Sequence, residues 1–168
     1  MKEILIFSAG PAGREVFQLI KEINKRKKKW KVIGYVDDRI QKKNNKLDKV
    51  KVFSIKNKPK GKNIYAICGI MEPKLREKIY VQEIKKNNYL IPNLVHPNNE
   101  IPSCFNFSKG NIIFNNVHIS FEVKICNFSI ISNFSDIGHN LKADDYLTIM
   151  PSVTVGGNCK IGKKVLLG

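Results

Sequence analysis

The chain has 168 residues, of which 42% are apolar and 26% are charged, and its formal net charge is +16. This length can hold one or two small domains. The sequence contains no run of 18 apolar residues and no leader with charged, apolar and small-residue parts. We therefore expect a cytoplasmic protein rather than a membrane-spanning or secreted one.

The positive charge is concentrated in the N-terminal half. Residues 1–95 hold 24 Lys and Arg against 9 Asp and Glu, whereas residues 96–168 hold 6 against 5. Lysine far outnumbers arginine, and no aromatic residues are interleaved as stacking platforms for bases. We therefore favour compositional bias over nucleic-acid binding, although a basic surface would still attract an anionic nucleotide.

The first predicted elements are a strand, a turn and a helix. Lys2–Phe7 is a continuous apolar run, and the turn over residues 8–13 has the sequence SAGPAG. Apolar residues at helical spacing follow from Arg14 to about Lys29. A second predicted strand, Val32–Val36, comes next.

Further strands are predicted near Val50–Phe53, Ile64–Cys68 and Leu90–Val95, with a helix from about Pro73 to Lys86. Strands that alternate with helices are typical of a parallel, Rossmann-like sheet. We assign residues 1–95 to such an α/β domain.

The turn after the first strand is a candidate nucleotide site. A turn at a helix N-terminus presents backbone N–H groups to a phosphate, and an acidic residue after the second strand can hold a ribose or a base. Asp37 and Asp38 stand at that second position. The turn has only two glycines, and Pro11 removes one donor, so a turn that merely packs the helix against the strand stays an open alternative.

The C-terminal part carries a different periodicity. Every sixth residue is apolar at Ile101, Phe107, Ile113, Ile119, Ile125, Ile131, Ile137, Ala143, Ile149, Val155, Ile161 and Leu167. With 42% apolar residues, such a ladder arises by chance roughly three times in a hundred thousand. A period of six predicts a parallel β-helix of hexapeptide repeats, in which 18 residues make one three-sided coil.

The same repeat makes further predictions. Small or apolar residues stand two positions before each ladder residue from Ile119 onward. Glycine follows the ladder residue at Gly138, Gly156, Gly162 and Gly168, and we expect these glycines at the corners of the coil. Residues 155–168 form an unfinished coil, which suggests a fragment or an end covered by another subunit.

The cysteines Cys68, Cys104, Cys126 and Cys159 are widely spaced and form no Cys-x-x-Cys motif. We expect reduced thiols and no bound metal.

The order of the motifs resembles one family along nearly the whole chain. The motifs are residues 8–16 (SAGPAGREV), 34–38 (GYVDD) and 73–79 (PKLREKI), followed by His96-Pro97 and the hexapeptide ladder. This order is similar to that of the NeuD/PglD-like sugar O- and N-acetyltransferases. The resemblance implies a left-handed β-helix over residues 96–168, a homotrimer, and acetyl-CoA bound between neighbouring subunits.

The resemblance also implies which residues form the sites. The N-terminal domain would bind a nucleotide-linked sugar through Gly10, Gly13, Asp37, Asp38 and Gly69. Glycine is usual in the family where Ser8 and Pro11 stand, so the loop departs from the common pattern.

The catalytic histidine of the family matches His139, and the residue whose N–H polarises the thioester carbonyl matches Gly157. An acidic residue usually follows that histidine, but here it is Asn140, whose amide oxygen can still orient the imidazole. Thr148 stands where relatives often have a second histidine near the acetyl group, and we assign it with Gly157 to acetyl-CoA. His96 and His118 are weaker candidates.

The resemblance implies direct acetyl transfer to the amino group of a nucleotide-linked amino sugar, for surface-glycan or glycoprotein biosynthesis, and these residues suit that chemistry. An imidazole can take the proton of the attacking amine, and a fixed backbone donor can stabilise the oxyanion. O-acetylation of a sugar such as sialic acid is one alternative. A relative that binds nucleotide sugars without catalysis is another, and a nicotinamide-dependent enzyme is a third, more distant one.

Overall fold

A computed structural model describes residues 1–39 and 46–168. The chain forms two compact units. The first comprises Met1–Ile70 and Leu75–Pro92, and the second comprises Met71–Lys74 and Asn93–Gly168. None of the helices in these described ranges is both long and apolar enough to cross a membrane.

A five-stranded sheet forms the centre of the first unit. Its strands are β1 (Lys2–Phe7), β2 (Trp30–Val36), β3 (Lys46–Leu47), β4 (Val50–Phe53) and β5 (Tyr65–Cys68). The order across the sheet is β3-β4-β2-β1-β5, and only the pair of β3 with β4 is antiparallel. The four parallel strands confirm the Rossmann-like prediction. The order reverses at β1, where such sheets bind ligands beyond the carboxyl ends of their strands.

Helix α1 spans Pro11–Arg26, so it begins three residues before the predicted start. Proline is favoured in the first turn because that turn needs no N–H from it. Helix α2 spans Pro73–Ile79, and the chain continues as a π-helical segment over Tyr80–Lys85. Together these two segments occupy the range predicted as a single helix.

The prediction that Leu90–Val95 forms a strand of the first sheet is wrong. Only Leu94–Val95 forms a strand, β6, and it pairs with Ile112–Ile113 of the second unit. Leu90 makes one isolated bridge to Tyr65. Pro92 interrupts the run, because proline has no N–H to donate to a sheet.

The second unit is the predicted parallel β-helix. After β6 its strands are β7 (Asn106–Phe107), β8 (Ile112–Ile113), β9 (His118–Ile119), β10 (Lys124–Ile125), β11 (Ile130–Ile131), β12 (Asp136–Ile137), β13 (Lys142–Ala143), β14 (Thr148–Ile149), β15 (Thr154–Val155), β16 (Lys160–Ile161) and β17 (Leu166–Leu167). Each ladder residue from Phe107 onward is the second residue of its strand. Strands that lie 18 residues apart pair in parallel, as Ile119 with Ile137 and Ile137 with Val155.

The ladder residues and those two positions before them form the core. Ile137, Leu141 and Leu147 are fully buried, and Ser129 and Ser135 are 1% exposed. The predicted inward direction of the ladder residues is therefore confirmed in these central coils. The residues two positions before them are buried as well.

The glycine corners were predicted at the wrong position. The left-handed residue of each corner lies three positions after a ladder residue, and Gly110, with φ of 76°, is the glycine that occupies it. The others are Asn116, Glu122, Phe128, Phe134, Asn140, Tyr146, Ser152, Asn158 and Lys164. Gly138 is required for another reason. A Cβ there would lie 2.5 Å from the amide nitrogen of Gly157 on the next coil.

We predict that Ile137→Ala destabilises the β-helix by about 2–5 kcal/mol, because it leaves a cavity between stacked coils. Chemical denaturation would measure the loss. Lys142→Ala, at an exposed position of the next strand, is the control and should change stability by less than about 0.5 kcal/mol. Equal effects of the two substitutions would show that the ladder does not form the core.

Candidate functional site

A cavity of about 270 Å³ lies at the carboxyl ends of β1 and β2 in the first unit. Its lining is Phe7, Ser8, Val36, Asp37, Asp38, Arg39, Ile55, Ile70, Leu75 and Ile79. Most of this surface is aliphatic, with three charged side chains from the end of β2. Such a cavity suits a flat, partly apolar group that carries polar edges.

The Asp37 carboxylate connects the glycine turn to the end of β2 through hydrogen bonds. One carboxylate oxygen accepts the N–H of Ala9 at 3.0 Å, and the other accepts the N–H of Arg39 at 2.9 Å. Burial would raise the pKa of Asp37, but the hydrogen bonds from Ala9 and Arg39 together outweigh it and lower that pKa. Asp37 is therefore held ionised, and each of its oxygens already has a partner within the protein.

Ser8 occupies a position whose backbone conformation favours glycine. Its φ is 98°, in the region that side chains other than glycine rarely occupy. The Ser8 hydroxyl accepts the N–H of Gly10 at 3.2 Å, which fixes the turn from within. Among the described residues, no group accepts the amides of Ala12 and Gly13. Gly13 is buried, whereas Ala12 is partly exposed at the start of α1.

Gly13 and Gly69 allow close packing. A Cβ on Gly13 would lie 2.1 Å from the carbonyl oxygen of Ser8, and a Cβ on Gly69 would lie 2.7 Å from the Cα of Gly13. These contacts support the alternative that the sequence left open, in which the glycines let α1 lie against the sheet. Substrate binding by Gly10, Gly13, Gly69, Asp37 and Asp38 stays a prediction.

We predict that Asp37→Asn lowers the free energy of unfolding by about 1–3 kcal/mol at neutral pH, because one N–H donor would face the amide NH₂ group. The pKa of Asp37 is lower in the folded than in the unfolded chain. Its contribution is therefore complete above the unfolded value, about 3.9, and is lost as the pH falls through the folded value.

Denaturation of both proteins between pH 7 and pH 3 would measure this difference. It should shrink below about pH 4. Asp38→Asn is the control, because Asp38 is exposed and, within residues 1–39 and 46–168, accepts one N–H, from Ile55. If the difference in free energy of unfolding between the wild type and Asp37→Asn stays constant over this pH range, the Asp37 carboxylate does not stabilise the turn through these hydrogen bonds.

His139 lies at an edge of the β-helix, outside its core. The ring of Phe121, one coil earlier, stacks on the imidazole with 5.1 Å between centroids and 6° between planes. On the other side lies Gly157, one coil later, where a Cβ would be 2.6 Å from Nε2 of His139. Phe121 is 55% exposed. The imidazole is therefore held between consecutive coils, and His139 itself is partly exposed.

A hydrogen-bonded chain runs from His139 back to the previous coil. Nδ1 of His139 lies 2.9 Å from Oδ1 of Asn140, and Nδ2 of Asn140 donates to a carboxylate oxygen of Glu122. Glu122 stands 18 residues before Asn140, so the two side chains occupy the same corner on consecutive coils. A carboxylate is thus present at this site, but on the neighbouring coil.

The edge that carries His139 lacks the capping seen at the other two edges. Elsewhere, the oxygen of an Asn or Asp side chain accepts the N–H 18 residues earlier, as Asn127 does from Lys109 and Asn133 from Asn115. Phe121, His139 and Gly157 stand at the equivalent positions of this edge. No described residue accepts the N–H of Gly157, whose neighbour one coil earlier is His139.

The other candidates lie apart from His139. Thr148 is fully buried, and its hydroxyl donates to the carbonyl oxygen of Met71 at 2.7 Å. A role for Thr148 in acetyl-CoA binding stays a prediction. His96 is buried, and His118 pairs with Asp136 at 2.7 Å on an exposed sheet surface.

Sequence reasoning missed Phe121 and Glu122. The 18-residue repeat could have found both, because subtracting one coil from His139 and Asn140 gives these two positions.

We predict that Gly157→Ala displaces the imidazole of His139, because the new methyl group would overlap the ring while Phe121 occupies the opposite face. The ¹H–¹³C NMR signals of the His139 ring, assigned by comparison with His139→Gln, would report the change. Gly156→Ala is the control, since a Cβ at Gly156 meets no atom within 4 Å. Ring signals that remain unchanged in Gly157→Ala would contradict this packing.

The two units define a class in which a Rossmann-like domain precedes a hexapeptide β-helix that presents a histidine at its edge. Residues 3–82 match the family model described as the PglD N-terminal domain. This match confirms the resemblance to the NeuD/PglD-like sugar acetyltransferases. Among curated proteins, none is significantly similar in sequence.

Solved structures share the fold over the whole chain. The acetyltransferase domain of PglB from Neisseria gonorrhoeae has a TM-score of 0.76 at 14% identity, covering 100% of this chain and 92% of its own. WeeI from Acinetobacter baumannii has a TM-score of 0.78 at 20% identity, covering 98% and 85%. PerB from Caulobacter crescentus, solved with CoA and GDP-perosamine, has a TM-score of 0.66 at 14% identity, covering 99% and 88%.

Proposed function

We propose that this protein transfers the acetyl group of acetyl-CoA to the amino group of a nucleotide-linked amino sugar, for surface-glycan or glycoprotein biosynthesis. The geometry of His139 is the observation that carries the proposal. The family of the first domain supports it, as do similar structures solved with CoA and GDP-perosamine or with acetyl-CoA. In line with the family, the active form is a cytoplasmic homotrimer whose subunit grooves bind acetyl-CoA.

His139 acts as the general base. The sugar amine attacks the thioester carbonyl carbon, and Nε2 takes a proton from the attacking nitrogen as the new C–N bond forms. The N–H of Gly157 donates to the oxyanion of the tetrahedral intermediate, a role supported by the position of Gly157 beside the imidazole of His139. When the C–S bond breaks, the imidazolium returns the proton to the thiolate of CoA, so His139 regains its starting state.

Two of the four cysteines, Cys68 and Cys126, are poorly suited to form an acetyl-enzyme. A nucleophilic cysteine needs a lowered pKa, so that the thiolate forms at neutral pH. Burial raises the pKa of Cys68 to about 12. Burial and the nearby carboxylates of Asp145 and Asp144 raise the pKa of Cys126. Neither thiol is suited to attack acetyl-CoA.

The cavity at the end of β1 and β2 holds the nucleotide. Its aliphatic walls suit the faces of a base, while Asp38 and Arg39 supply polar contacts at its edge. The amide of Ala12 then serves the diphosphate at the start of α1. Asp37 contributes by holding the turn in place.

We predict that thiol release from acetyl-CoA depends on an amino sugar linked to UDP, dTDP or GDP, and falls by about 10²-fold or more in His139→Ala, the usual scale for a general base. A thiol-reactive dye would measure the release. His118→Ala is the matched control and should retain full activity. Release that persists in His139→Ala would contradict the assigned base. Faster acetylation of a hydroxyl analogue than of the amino sugar would make the protein an O-acetyltransferase.

A further inference from the structure

The residue after His139 poses a chemical ambiguity. A carboxylate there could only accept a hydrogen bond and would hold the proton of the imidazole on Nδ1. Asn140 carries both an acceptor and a donor group, and rotation of its amide by 180° exchanges them. With NH₂ towards His139, Nδ1 would be the acceptor, and the proton would sit on Nε2. Nε2 could then not take a proton from the sugar amine.

Glu122 removes this ambiguity. An ionised carboxylate accepts hydrogen bonds and donates none, so Glu122 selects the orientation in which Asn140 turns its Nδ2 towards it. Oδ1 of Asn140 then faces Nδ1 of His139 at 2.9 Å. Since Oδ1 can only accept, Nδ1 carries the proton, and the lone pair of Nε2 is free.

The backbone keeps the three residues in this order. Glu122 and Asn140 both have left-handed φ values, 54° and 57°, at the same corner of consecutive coils. The N–H of Asn140 donates to the carbonyl oxygen of Phe121 at 3.0 Å, and the N–H of Asn158 donates to that of His139 at 2.8 Å. These bonds fix the spacing between the coils, and with it the distance that the Asn140 amide spans.

We infer that Glu122 is a positioning residue that sets the tautomer of His139 through the Asn140 amide. Its negative charge also stabilises the imidazolium that forms when His139 takes a proton. A carboxylate on the preceding coil thus acts on the imidazole through the Asn140 amide. The catalytic consequence rests on the proposed role of His139 as general base, whereas the tautomer itself does not.

Nitrogen NMR of ¹⁵N-histidine-labelled protein tests the tautomer without any substrate. The chain has 3 histidines, and comparison with His139→Gln assigns the signals of His139. We expect the Nδ1–H tautomer in the wild type and a mixture in Glu122→Gln, because a glutamine amide can donate as well as accept. Glu122→Lys should favour the Nε2–H tautomer, because a donor at this position turns the Asn140 oxygen away from His139. An unchanged tautomer in Glu122→Lys would overturn the inference.

Kinetics tests the consequence for catalysis. Glu122→Gln should lower kcat about 10-fold, with little change in the KM of acetyl-CoA, as for other residues that orient a reactive group. Adding Asn140→Asp to Glu122→Gln returns an acceptor-only group to Nδ1 and should restore most of the activity. Glu100→Gln, a change of the same type at another exposed glutamate, is the control.

The outcomes separate this inference from the proposed function. Two results would show that Glu122 does not position His139 through Asn140. One is a wild-type kcat in Glu122→Gln, and the other is a double variant whose kcat is no higher than that of Glu122→Gln. If the wild type shows no sugar-dependent thiol release, the proposed function fails. The NMR result then decides the tautomer assignment by itself.

Discussion

The stacking of residues that lie 18 positions apart is the constraint on which the β-helix depends. Each coil buries its ladder residues against those of the coils above and below, as Ile137 does between Ile119 and Val155. Burial of apolar surface and parallel backbone pairing impose the same register, so a shift of one residue would turn the apolar side chains outward. Outward-facing residues that lie 18 positions apart are therefore also neighbours on consecutive coils, although they do not contribute to the core.

The candidate catalytic site follows from this register. His139 contacts Phe121 and Gly157 because these residues stand one coil before it and one coil after it. Asn140 reaches Glu122 for the same reason. A residue type at one position therefore restricts the residues 18 positions away. The imidazole of His139 requires a glycine at position 157, and an amide at position 140 is directed by an acceptor at position 122.

The limits of sequence reasoning follow from the same geometry. The ladder predicted every strand from β7 to β17, because a buried position leaves a hydrophobic signal. Phe121 and Glu122 are exposed and leave none, so their importance appears only when the chain is compared across coils. The corners were misplaced because the left-handed position accepts Phe128 and Lys164 as well as Gly110. Glycine is therefore a poor marker of it.

The Rossmann-like domain shows a different limit. Its sequence places an acid after β2 and a glycine turn after β1, but it does not show which partners the acid meets. In the structure, the carboxylate of Asp37 accepts N–H groups from both Ala9 and Arg39. Glu122 accepts the Asn140 amide in the β-helix. In both places an acceptor-only group fixes the direction of its donors, so a carboxylate near a binding or catalytic site can matter without touching the ligand. Which role a given acid has depends on the geometry of its neighbours rather than on its place in a motif.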